Sequence, residues 1–280
     1  MKEKLYFHNI SHVIVSFCLF ILIGRLSGFL IGILSSFEGI AAELLRFIFA
    51  ASCGILAFHY YEKLIPSPVE KDSSRSVMEG RFKKRPFTMR RYILETIPHT
   101  LVTVMLLVIS MYLVTIAFDL GGSLVNESIH KPSVLPFLSM VLIHPIAEEY
   151  MFRGIFYGKL RSMSPIFACL MQAVMFAISH NGVGGMMYAL IAGIILGTAA
   201  ERSNGIAVPV VAHIIINLRT FLYSGILTAN VITAIDLSVI GAGLISAAIL
   251  IIVSKLLPSY SNAAKESQTE ITHEEVEFDD

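Results

Sequence analysis

A few residues stand at spacings that chemistry could use. The run Ala147-Glu148-Glu149-Tyr150-Met151-Phe152-Arg153 puts two adjacent carboxylates and a guanidinium inside an otherwise apolar stretch. Successive residues on a helix point about 100° apart, so Glu148 and Glu149 face different sides. Glu149 and Arg153 are at i,i+4 with the acid N-terminal, the favourable order for an ion pair. That pairing neutralises Glu149 and leaves Glu148 available as a base. Downstream, Phe176 and His180 close one apolar run. His213 and Asn217 fall on one face of another, with three isoleucines between them. A titratable group in a bilayer is costly to keep, so each such position is a candidate for function. A carboxylate base beside neutral donors is the equipment for proton abstraction and for stabilising a developing negative charge.

These residues need apolar helices to carry them. Of 280 residues, 55% are hydrophobic and only 15% charged, against roughly 25% charged in a soluble domain. With a mean hydropathy of +0.72, the composition excludes an ordinary soluble enzyme. A zero net charge removes any general attraction to nucleic acid. The three cysteines, Cys18, Cys53 and Cys169, lie inside apolar runs, which argues against a disulfide framework. A spanning helix needs about 20 apolar residues. The runs over 11–35, 39–61, 92–118, 134–160, 165–181, 184–200, 206–225 and 230–257 predict an all-α polytopic bundle of about eight transmembrane helices. The runs are continuous rather than alternating, which favours helices over a barrel. The first run is too long for a signal-peptide core and is read as a retained helix.

Basic residues set the expected orientation. Between the second and third runs lie Lys63, Lys71, Arg75, Arg81, Lys83, Lys84, Arg85, Arg90 and Arg91, and Lys159, Arg161, Arg202 and Lys255 fall on the same side. The expectation is a multi-pass cell-membrane protein with both termini cytoplasmic. The tail 258–280 is polar and acidic and is expected to stay unstructured. The chain then divides into 1–91 (two helices and a basic loop), a helical core over 92–225, a last helix over 226–257, and the tail.

The three motifs Glu-Glu-x-x-x-Arg (148, 149, 153), Phe-x-x-x-His (176, 180) and His-x-x-x-Asn (213, 217) together resemble the CPBP family. That family comprises type II CAAX prenyl endopeptidases, bacteriocin-processing and immunity proteins, and the Abi domain. The resemblance covers about 95 to 225 and is strongest over 134 to 220. It implies an intramembrane endopeptidase acting on membrane-associated or lipidated peptides or proteins, with membrane lipids as surroundings. By that analogy Glu148 and His180 would activate a water molecule, and His213 and Asn217 would stabilise the oxyanion. Glu149, Arg153 and Phe176 would shape the site. The resemblance leaves the metal question open: Glu148, His180 and His213 would be the ligands if zinc is bound, and the same residues would handle water directly in a metal-free mechanism. The absence of a His-Glu-x-x-His helix removes the commonest zinc-protease geometry without excluding zinc, and the reading leans to no stably bound catalytic metal. The alternative class is a non-enzymatic membrane protein, conferring bacteriocin immunity or regulating a partner such as a sensor kinase.

Other polar positions have plainer readings. Gly193 and Gly197, and Gly24, Gly28 and Gly32, recur every four residues and suit close helix packing within the chain. Arg25 is expected to pair inside the bundle, with Glu43 as a candidate. His144 is read as a neighbour of the site, disturbed by Pro145, and Glu95 with His99 as a local contact. Arg219 and Asp236 have no role in this reading. His213 comes out shallower than Glu148 and His180, which requires either an earlier start to its helix or a stagger between helices.

Overall fold

The computed structural model describes residues 92–117, 137–161, 163–223 and 226–256, together with Met89 and scattered positions between Phe7 and Leu22. The runs over 39–61 and 258–280, Arg25, Glu43, the first glycine triplet and Cys53 lie outside the described residues. Among those described, every regular element is helical. They are α1 (Tyr92–Ala117), α2 (137–161), α3 (Pro165–Ile178), α4 (Val183–Ser203), α5 (Ala207–Tyr223) and α6 (Ala229–Leu256). Three of them, α1, α4 and α6, are long and apolar enough to cross a membrane, while α3 and α5 are shorter apolar helices. Against the expected number of about eight spans, the described residues contain three of full length.

Local chemistry explains the helix ends. Ser164 caps α3, its hydroxyl accepting from the Phe167 N–H at 3.4 Å, and Pro165 occupies the first turn, where its missing N–H is no loss. Gly182, at φ 72°, turns the chain into α4, a conformation that glycine adopts without a Cβ penalty. Asn204 ends α4 in the left-handed region at φ 53°, the usual second choice after glycine for that cap.

The second helix is irregular where the motif sits. Two stretches, Leu138–Ile143 and Tyr150–Tyr157, are wound as π-helix on either side of the regular turn His144–Glu149. Pro145 offers no N–H and its ring crowds the carbonyl four residues earlier, so a wider turn upstream relieves that conflict. π-turns are rare and concentrate at functional sites.

Small residues bring the helices together. A Cβ added to Gly193 would lie 2.8 Å from Cα of Ala173, so α3 and α4 meet backbone to backbone there. Gly197 sits against Gln172 and Cys169 of α3. Gly243 does the same for α6 and α1, where a Cβ would come within 2.5 Å of Met105 Cβ. The spacing at 193 and 197 therefore serves packing within the chain, as small residues do between membrane helices. The apolar core joins Leu107 and Val108 of α1 with Phe152, Ile155 and Phe156 of α2, Phe176 of α3, Leu196 of α4 and Ile216 of α5. Phe17 and Phe20 reach it from the N-terminal segment, edge-on to Phe156 and Phe152.

Two polar clasps reinforce this packing. Glu201 of α4 accepts hydrogen bonds from Arg161 Nε at 2.7 Å, Arg161 Nη2 at 2.8 Å and Tyr157 Oη at 2.6 Å, both on α2. Asp236 of α6 accepts from Arg219 Nε at 2.7 Å and Nη2 at 2.6 Å, and from Tyr112 Oη of α1 at 2.6 Å. Each carboxylate thus sits in the fork of an arginine with a tyrosine hydroxyl beside it. The second clasp accounts for Arg219 and Asp236.

Candidate functional site

The regular turn of α2 carries Glu148 and Glu149, and the 100° step between them separates their environments. Glu149 is fully buried, and its Oε1 accepts from Arg153 Nη1 at 2.8 Å. The predicted i,i+4 pair is therefore present and dry, with Arg153 also completely enclosed. Glu148 keeps 28% of its side chain exposed.

The same Oε1 of Glu149 also meets His213 Nδ1 from α5, at 2.8 Å. A carboxylate held ionised by Arg153 can only accept, so Nδ1 of His213 carries the proton and donates. In the neutral ring that leaves Nε2 as an acceptor, and Nε2 lies 3.8 Å from Oε2 of Glu148. The two adjacent glutamates therefore address the two nitrogens of one imidazole. Glu149 fixes the ring's tautomer and orientation, and Glu148 stands nearest its other nitrogen. Glu149 contacts His213 directly, a link that the sequence reading, which gave it a shaping role, did not include.

Asn217, one turn further along α5, donates its Nδ2 to the Met140 carbonyl at 3.0 Å. Met140 lies in the wide π-turn of α2, so that turn and α5 are tied together beside the site. The second amide hydrogen and Oδ1 of Asn217 are not used in that bond.

His180 follows the end of α3. Its Nδ1 lies 2.8 Å from the Phe176 carbonyl, and a carbonyl can only accept, so this ring too is protonated on Nδ1 and presents Nε2 as an acceptor. Phe176 connects the parts of the site. Its ring lies 4.6 Å from that of His180 and 5.9 Å from that of His213, both edge-on. The guanidinium of Arg153 stands 4.5 Å over it, a favourable cation–π arrangement. Gln172, buried on α3, donates to the Gly193 carbonyl at 2.8 Å, and Arg153 Nη2 reaches the same oxygen at 3.4 Å. Gln172 was not singled out in the sequence; its polar side chain in the apolar run 165–181 was the signal.

Glu148, Glu149, Arg153 and His213 thus form one cluster, with Asn217 beside it. His180 joins through Phe176 and makes no hydrogen bond or ion pair with Glu148 or His213 among the described residues. There is also no group of three His, Cys, Asp or Glu side chains disposed to hold a metal ion among the described residues. The zinc set Glu148, His180 and His213 is not assembled in this arrangement. The α5 helix begins at Ala207, so it has no earlier start. His144 is exposed, and His99 Nδ1 bonds the Glu95 carbonyl at 2.7 Å, a local contact as read.

Residues 130–219 match the family model described as type II CAAX prenyl endopeptidase Rce1-like. The match contains every site residue named above and is consistent with the CPBP family of intramembrane proteases. No curated protein and no solved structure matches the chain.

Proposed function

We propose that this chain, with a CAAX-endopeptidase segment at its centre, is an intramembrane endopeptidase that hydrolyses peptide bonds in membrane-associated or lipidated polypeptides. The observation that carries the reading is the Glu149–His213 hydrogen bond, which turns Nε2 of His213 toward Glu148. A water molecule can meet both the Glu148 carboxylate and that nitrogen at once, since the two acceptors are 3.8 Å apart. Glu148 takes the water's proton as the oxygen bonds to the peptide carbonyl carbon. The carbonyl π electrons move onto its oxygen. The proton then passes to the amide nitrogen as the oxyanion's electron pair re-forms the carbonyl and the C–N bond breaks, giving a carboxylic acid and an amine, which ionise to carboxylate and ammonium. His180, which presents Nε2 as an acceptor, shares in orienting that water by analogy with the family, and it joins the site through the Phe176 ring.

The oxyanion requires donors. Asn217 has an amide hydrogen not used on Met140. His213 Nε2 accepts while it holds the water and donates once the proton taken by Glu148 passes to it across 3.8 Å. In that form Glu148, Glu149, Arg153 and His213 sum to zero charge, which a water-poor site tolerates far better than a net charge. Preorganised donors of this kind are worth about 10²–10³ in rate each.

By the charge rule, the Lys and Arg residues over 62–91 would put the termini and the basic loops on the cytoplasmic side. Lipidated substrates would reach the helices from that leaflet. The test is cleavage of a fluorogenic farnesylated peptide ending in a C-a-a-X sequence by the purified full chain in micelles. Glu148→Gln and His180→Ala should each lower turnover by about 10²–10⁴, with unchanged yield of folded protein. Full turnover in both variants would overturn the reading.

A further inference from the structure

The clasp formed by Tyr112, Arg219 and Asp236 lies away from the site residues and joins three helices. Asp236 is only 2% exposed on the most apolar of the spans, α6. A buried carboxylate there is expensive unless fully paired, and this one is. Both its oxygens take the arginine fork, and Oδ2 also takes the Tyr112 hydroxyl. The remaining Arg219 nitrogen, Nη1, points at Met111 Sδ at 3.4 Å, and the guanidinium lies 5.8 Å from the Tyr112 ring. A bidentate fork fixes orientation as well as distance.

The position of Arg219 on its helix gives the clasp a consequence for the site. Arg219 is two residues beyond Asn217, about 200° around α5. The front of α5 therefore carries His213 and Asn217, and its back is gripped by α1 and α6. We infer that Tyr112, Arg219 and Asp236 are positioning residues, whose clasp sets the rotation of α5 and so the aim of His213 and Asn217. Side-chain atoms lie about 5–6 Å from a helix axis. A rotation of roughly 10° therefore moves the imidazole by about 1 Å, enough to open the 2.8 Å bond to Glu149. Displacements of about 1 Å at a reacting group cost about 10²-fold in rate. Asp236 and Tyr112 lie outside the matched segment 130–219, so the flanking helices take part in shaping the centre.

The effect on turnover rests on the hydrolytic reading above; the aiming of His213 does not. The test uses the full chain in micelles with 15N-labelled histidine, His213 being assigned by loss of its signal in His213→Gln. In Asp236→Asn the hydrogen-bonded Nδ1 signature of His213 should be lost. Turnover of the farnesylated C-a-a-X peptide should fall about 10²-fold with KM nearly unchanged. Tyr112→Phe removes a single hydrogen bond, keeps the fork, and should shift the same signal less; it decides the matter if Asp236→Asn does not fold. An unchanged His213 signal in a folded clasp variant would overturn the inference. If the unmodified chain does not cleave the peptide, the hydrolytic reading fails, and the His213 signal still decides the positioning role.

Discussion

Replacing Glu149 by glutamine removes one charge and almost no volume from the centre of the bundle. Glu149 and Arg153 are both completely buried, 2.8 Å apart. Glu149→Gln leaves the guanidinium enclosed without its contact partner, and the nearest other acid, Glu148, is partly exposed. Breaking one side of a buried pair costs about 3–5 kcal/mol, because the surviving charge is neither solvated nor compensated. Domains unfold with only about 5–15 kcal/mol in hand. At about 2–4 °C per kcal/mol for a chain of this size, the unfolding midpoint should fall by roughly 6–20 °C, read by thermal denaturation in micelles.

The companion variant removes both charges. Glu149→Leu with Arg153→Met should recover most of that midpoint, since replacing a whole buried pair by apolar groups is often neutral or stabilising. Peptide cleavage should stay lost in both variants, because neither offers a carboxylate to Nδ1 of His213. Two results would refute this account: a Glu149→Gln midpoint within about 2–4 °C of the unmodified chain, or a double variant no more stable than the single one.

Gly193→Ala should destabilise by about 1–3 kcal/mol, since the new Cβ would meet the Ala173 backbone at 2.8 Å; Gly185→Ala, with nothing within 4 Å, should be neutral or slightly stabilising on the same denaturation curve. Glu201→Gln should cost roughly 1 kcal/mol or less, because Arg161 and Glu201 keep 19% and 27% of their side chains exposed. A loss as large as that of Glu149→Gln would show that burial is not what separates the two pairs.

Much of the helical plan was legible because an apolar run of spanning length has few alternatives in a bilayer. The expected 92–118, 184–200 and 230–257 correspond to α1, α4 and α6 within a few residues. The Glu149–Arg153 pair was legible because i,i+4 neighbours meet on any helix. The π-turns of α2 were not, although Pro145 marked the conflict that accompanies one of them. Nor were the clasps. Arg219 and Asp236 were conspicuous as charges without a local partner. Tyr112 lies 124 residues from Asp236, and Tyr157 and Glu201 are separated by 44.

The sequence by itself determined which residues could do chemistry, that apolar helices carry them, and which acid an arginine would neutralise. Each of these depends on residue type or on contacts within one helical turn. Tertiary structure alone decided that both adjacent glutamates address His213, one at each ring nitrogen, and that His180 stands apart behind Phe176. Those relations depend on how helices meet across 64 residues of chain between Glu149 and His213.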